Sequence, residues 1–356
     1  MEPGTTDPKV NNDFACPLPS TDESDLALET TYDVTLGNYE VALEPGKFLD
    51  SLLDRVPDMA SFAELDLVVL FNEDSSNVGP GHWQTIAEEL DARRDNYEAF
   101  ILVHGTDTMA FTASALSLML VGFGKPVILT GSQLPLGSPR TDARTNLIDA
   151  VSCAVNPVLR NAPEVCVCFD GKLLRGNRAQ KVHASSYTAF DSPGVPPLAT
   201  LGVDIIWSDA LLHSTRLGQP HHRAAYTPRF DLDTSVVRVP VIPGVDPYVA
   251  YGDLAGRGVK GIIVETFGVG NMPNHPTSKF LEWLEVQADS GVRVYLTSQC
   301  ASGDMRPELY KSGSVALRLG AVGGPRMTPE CAVVKLMLAL ANDDVELSEP
   351  IAGELG

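Results

Sequence analysis

The run His104-Gly-Thr-Asp-Thr-Met109 sets a hydroxyl and a carboxylate side by side behind a glycine. It follows Ala99-Phe-Ile-Leu-Val103, a short apolar stretch of the kind that forms a buried parallel strand. It precedes residues 110–120, which read as a helix. In an open α/β sheet the turn between a strand end and a helix start lies at the carboxyl edge, where ligands bind. Gly105 lets the backbone turn tightly. Thr106 and Asp107 then stand beside helix amides that favour anions. Thr and Asp are also ordinary helix caps, so these two residues alone do not separate a cap from a site.

Two further loops carry the same kind of chemistry. Asp74-Ser75-Ser76 follows the apolar run 65–71, and Gly131-Ser132-Gln133 follows the run 126–130. In a parallel sheet such loops converge on one edge and make a polar pocket with no metal cluster. A fourth piece is Arg175-Gly-Asn-Arg-Ala-Gln-Lys181-Val-His183-Ala-Ser-Ser186. A lysine on such a segment is ordinarily a solvated surface charge. Folded over the strand ends, Lys181 would be desolvated, with a lowered pKa, and able to deprotonate a threonine hydroxyl. Thr106, Lys181 and Asp107 would then be hydroxyl, base and orienting carboxylate, the logic of a catalytic triad without histidine.

The elements that must position these residues alternate in type. Residues 65–71, 99–103, 126–130 and 164–169 read as strands, and 82–97, 110–120 and 141–154 as helices, which predicts a parallel, doubly wound sheet. Residues 47–54 read as a short helix and residues 1–30 as loop or disorder. The rhythm breaks at Ser192-Pro-Gly-Val-Pro-Pro197 and through 208–232, then resumes with strands at 236–242, 261–265 and 292–297 and helices near 247–256, 277–289 and 329–341. The expected organisation is therefore α/β in two domains: a larger N-terminal doubly wound sheet over 1–207, a linker over 208–232 and a smaller C-terminal α/β domain over 233–356. Gly256-Arg-Gly258-Val-Lys-Gly261 fits a dinucleotide fingerprint by letter, but it follows a helix and leads into a strand, so it reads as an ordinary turn.

Composition narrows the function. The 356 residues hold 26 Lys and Arg against 46 Asp and Glu, a net charge of −20 that repels phosphate backbones and argues against nucleic-acid binding. The six cysteines are scattered without metal-ligand spacing. Cys166 and Cys168 fall on one face of a strand, so buried reduced thiols are expected there. A signal-peptide core and a membrane-length apolar run are both missing, which points to a cytoplasmic protein that needs no membrane partner.

Several long words complete the pattern. His104-Gly-Thr-Asp-Thr-Met109, Gly124-Lys-Pro-Val-Ile-Leu-Thr-Gly-Ser-Gln-Leu-Pro135, Arg175-Gly-Asn-Arg178 with Lys181, Glu265-Thr-Phe-Gly-Val-Gly-Asn271 and Ser298-Gln-Cys-Ala-Ser-Gly303 occur in that order. Over residues 74–330 the chain resembles the cytoplasmic, type I branch of the bacterial-type L-asparaginases. The resemblance implies two α/β domains, a homo-oligomer (dimer or tetramer) and cofactor-free hydrolysis of L-asparagine to L-aspartate and ammonia. It places Thr106, Asp107 and Lys181 in the family's second catalytic set. Ser75 and Ser76 fall in its substrate-carboxylate loop, Asp107 facing the substrate ammonium, and the Ser132 backbone lies near the side-chain amide.

The chain departs from that family at its start. The family opens with a strand ending in Thr-Gly-Gly-Thr-Ile, whose loop carries the usual nucleophilic threonine; here Thr5, Thr6, Thr30 and Thr31 all lack that context. Tyr39 is the best match for the helper tyrosine of the mobile loop. Met1 then reads as an internal methionine of a longer chain, and residues 1–356 alone are expected to aggregate unless a segment such as 30–45 fills the first-strand position. Three readings follow from the sequence: an asparaginase acting through threonine, a non-catalytic relative that binds amino acids or regulates a partner, and a hydrolase of another amide or ester.

Overall fold

The computed structural model describes residues 52, 54–208, 225–323 and 327–355. Expectations for residues 1–30, the segment 30–45 and Tyr39 lie outside the described residues, as does most of the helix expected at 47–54, of which 52 and 54 are helical.

The chain enters through α1 (Pro80–Arg93), β1 (Phe100–Val103), α2 (Met109–Met119) and β2 (Leu120–Val121). It continues through β3 (Val127–Thr130), α3 (Ala143–Val155), α4 (Pro157–Asn161), β4 (Val165–Phe169) and β5 (Lys172–Arg175). A 3₁₀ turn (Gly176–Arg178) leads to β6 (Gln180–Lys181), β7 (Phe190–Asp191), β8 (Ala199–Leu201), β9 (Ile205–Trp207) and β10 (Thr227–Pro228). The second half runs β11 (Val236–Pro240), α5 (Pro247–Ala250), β12 (Gly261–Thr266), α6 (Phe280–Asp289), β13 (Arg293–Ser298), α7 (Lys311–Arg318), β14 (Val322–Gly323) and α8 (Pro329–Ala341).

The first sheet has the order β1-β3-β4-β5-β8-β9, with β1, β3 and β4 parallel and the rest antiparallel. Its two faces follow from side-chain alternation. Val127, Leu129, Val165 and Val167 enter a core with α1, α2 and α8, while Ile128, Cys166 and Cys168 enter the opposite core with α3. Helices therefore cover both faces, as the doubly wound reading expects. The two thiols share a face as expected, both buried and free. The antiparallel end was not legible in advance, because β8 and β9 are only three residues long each and sit among prolines and glycines. The second sheet, β11-β12-β13-β14, is wholly parallel. α8 joins the two halves: Ile263 and Tyr295 of the second sheet pack into the same core as α2.

Residues 65–71 correct one expectation. They form no strand and lie beside the outer edge of β1. A cavity of about 190 Å³ separates the two, lined by Leu65, Leu67, Leu70, Leu90, Phe100 and Leu102. An apolar run becomes a strand only when a neighbour completes its ladder; among the described residues the outer edge of β1 is unpaired, and the cavity keeps 65–71 from reaching it. The helix expected near 247–256 is also shorter: α5 ends at Ala250, Gly252 takes φ +67, and a 3₁₀ turn (Ala255–Arg257) follows. That turn feeds β12, so the glycine fingerprint sits in the helix-to-strand context the sequence indicated.

Candidate active site

β1 and β3 run parallel with Val103 beside Thr130, which brings the loops starting at His104 and Gly131 to one sheet edge. The approach is close. A Cβ on Gly131 would stand 2.2 Å from the His104 carbonyl oxygen, so only glycine fits between the two loops. Ser132, half-buried, follows directly on that edge.

The segment leaving β5 does fold over the strand ends. Lys181 Nζ donates to Thr106 Oγ1 at 2.8 Å and to Asp107 Oδ1 at 2.5 Å. Thr106 is buried, the Lys181 side chain is 18% exposed and that of Asp107 is 63% exposed. The cluster is thus most open to solvent at its carboxylate, with Thr106 as a residue largely covered. A lysine this far inside holds a hydroxyl within direct proton-transfer reach.

Ser75 completes the group. Its hydroxyl accepts from the Asp107 N–H at 3.3 Å, and its carbonyl accepts from Thr108 Oγ1 at 2.6 Å. It opens the 3₁₀ turn Ser75–Asn77, capped by Asp74, whose carboxylate accepts from the Ser76 N–H at 2.7 Å and is held below the usual range by that bond. Ser76 itself is exposed at the rim. Of the residues singled out from the sequence, Thr106, Asp107, Lys181 and Ser75 are in contact; Ser76 and Ser132 flank them. Among the described residues there is no group of three or more His, Cys, Asp or Glu able to hold a metal ion.

Supporting residues escaped the sequence reading. His104 is buried, its Nδ1 2.6 Å from the Gly105 carbonyl and its Nε2 2.9 Å from Thr112 Oγ1. As the neutral tautomer with Nδ1–H, it donates to Gly105 and accepts from Thr112, fixing the peptide that leads into Thr106. The eight-residue spacing of His104 and Thr112, across a turn, gives no periodic signal. Asn146 donates to the Gly131 carbonyl at 2.9 Å and accepts from the Asp170 N–H at 3.0 Å, and Asp142 accepts from the N–H groups of Gln133 and Leu134. Their four-residue spacing at the start of α3 is the one available hint.

Burial lowers the His104 pKa below 6.5, the nearby His82 adds to the shift, and the bond to Gly105 opposes it. The unfolded chain therefore binds a proton that the folded chain refuses as pH falls below 6.5, and stability drops across that window. The wild type is expected to lose up to about 1.4 kcal/mol per pH unit more than His104→Gln between pH 6.5 and the lowered folded value. Parallel pH-stability curves for the two proteins would exclude this.

The fold and site define a two-domain α/β protein with a hydroxyl–amine–carboxylate cluster at the carboxyl edge of its larger sheet. Residues 36–212 match the family described as "Asparaginase, N-terminal" and residues 235–348 match the "Glutaminase/Asparaginase C-terminal domain". The chain belongs to the asparaginase family. It is 37% identical over 308 residues to L-asparaginase 1 of Escherichia coli K12, covering 84% of this chain and 86% of that one. The crystal structure of L-asparaginase I from Vibrio cholerae superposes with a TM-score of 0.74 at 33% identity, covering 87% of this chain and 92% of the other. A probable cytoplasmic L-asparaginase from Campylobacter jejuni gives a TM-score of 0.68 at 26% identity, covering 82% and 86%. These similarities fall where the sequence motifs placed the chain.

Proposed function

We propose that the chain hydrolyses L-asparagine to L-aspartate and ammonia at the Thr106–Lys181–Asp107 cluster. The observation that carries the reading is the 2.8 Å contact between the Lys181 amine and the buried Thr106 hydroxyl, inside a chain of this family. Lys181 in its amine form takes the Thr106 proton. Thr106 Oγ1 attacks the carboxamide carbon, ammonia leaves with a proton returned by Lys181, and water cleaves the resulting ester to aspartate. Backbone N–H groups of the converging loops, that of Ser132 among them, hold the oxyanion. The exposed Asp107 carboxylate faces the substrate ammonium, and the loop of Ser75 and Ser76 receives the α-carboxylate. No cofactor enters this scheme.

Ammonia release from L-asparagine by the purified protein is the expected result. Calorimetry with aspartate discriminates the second reading: binding without turnover would make the chain a non-catalytic amino-acid binder. The reading extends to a cytoplasmic homo-oligomer. Sedimentation at micromolar protein checks the state, and a monomer would end that extension.

A further inference from the structure

A buried polar network reaches from α8 to the segment that carries Lys181. Lys335, in the middle of α8, and Glu354 are both fully buried and pair at 2.5 Å. Lysine has three donors, and Lys335 places the other two on the Leu347 carbonyl at 3.3 Å and the Glu349 carbonyl at 2.6 Å. The Glu354 carboxylate accepts from the N–H groups of Ile351 and Ala352 at 3.1 and 2.8 Å, which folds 351–354 into a closed loop. The loop presents the Ala352 carbonyl to Asn177, whose Nδ2 donates to it at 2.7 Å and to Ser117 Oγ on α2 at 3.0 Å. Asn177 is fully buried at the centre of the 3₁₀ turn that launches β6. A second tie runs from the first turn of α8, where Glu330 accepts from Gln180, the residue before Lys181, at 3.4 Å.

Burying an ion pair contributes little net stability, because desolvation consumes the Coulomb gain. The hydrogen bonds around this pair and from Asn177 Nδ2 nonetheless fix one arrangement, although Asn177 Oδ1 is buried without a hydrogen-bond partner among the described residues. What this network fixes is the backbone on both sides of Ala179: Asn177 below and Gln180 above. A lysine that must hold one hydroxyl at 2.8 Å needs that constraint, since a misplacement of about 1 Å can cost about 10²-fold in rate.

We infer that Asn177 is a positioning residue for Lys181, and that the 351–355 segment, locked by Lys335 and Glu354, is the strap that holds it. The inference rests on the assignment of Lys181 as the base. Asn177→Leu keeps the volume and removes the donor. It is expected to lower kcat for L-asparagine about tenfold or more, leave KM within about twofold, and change the pH–rate profile. Lys335→Met with Glu354→Leu replaces the ion pair by apolar groups of similar size. This double variant is expected to melt cooperatively near the wild-type Tm with the same kcat loss. Lys181→Met is measured alongside.

If Lys181→Met is inactive while both network variants keep wild-type kcat and pH profile, the strap is overturned and the base assignment stands. If Lys181→Met retains turnover, the base assignment fails and takes the strap with it. Loss of folding in both network variants also overturns the strap, because the network then holds the fold and not the lysine.

Discussion

Lys181→Met is expected to reduce kcat for L-asparagine about 10²-fold or more, with Tm unchanged within a few degrees. Methionine keeps the length of the side chain and loses the amine that reaches Thr106 Oγ1 at 2.8 Å and Asp107 Oδ1 at 2.5 Å. Folding is spared because the charge left behind is not buried: the Asp107 side chain is 63% exposed and returns to water. Lys181→Arg separates charge from proton transfer. A guanidinium keeps the pairing with Asp107 but holds its proton at every working pH, so this variant is expected to be as inactive as methionine. Turnover near wild type in either variant would return Lys181 to an ordinary surface charge.

How far the sequence reached depends on whether the determinant was local. Strand β3 was legible because the short run Val127-Ile-Leu-Thr130, bounded by Pro126 and Gly131, has one reading in a chain of alternating elements. Thr106 and Asp107 were legible because a strand-to-helix turn places them at the carboxyl edge without further information; Ser75 reaches the same edge through its bonds to Asp107 and Thr108, although the run before it forms no strand. Lys181 was a different case. Its approach to Thr106 spans 75 residues and depends on an antiparallel excursion through β5 that periodicity did not reveal; the motif order supplied it. Residues 65–71 failed for the reverse reason, since their pattern is that of a strand but ladder formation belongs to the neighbour. His104, Asn146 and Asn177 each bond a backbone carbonyl and a second partner, and a residue's type alone does not announce such partners.

The largest stability effect is expected at Glu164. Its carboxylate receives two parallel bonds from Arg175, Nε at 2.5 Å and Nη2 at 2.7 Å, with side-chain exposures of 1% and 5%. Burial alone draws the guanidinium pKa down, and the charge and bonds of Glu164 reverse that and raise it above its usual value. Glu164→Ala removes the counter-charge and leaves a desolvated cation, which costs about 3–5 kcal/mol. For domains of this size each kcal/mol moves Tm by about 2–4 °C, so a fall of about 6–20 °C is expected in a calorimetric scan. Replacing both partners, Glu164→Leu with Arg175→Leu, removes the charge along with its counter-charge and is expected to recover most of that loss. A fall of only a degree or two for Glu164→Ala would show that solvent reaches the pair. The two variants also differ in function. Arg175 directly precedes the turn containing Asn177, so the single variant is expected to lose activity well below its midpoint temperature as that turn loosens, while the double variant keeps β5 laddered to β4 and the turn in place.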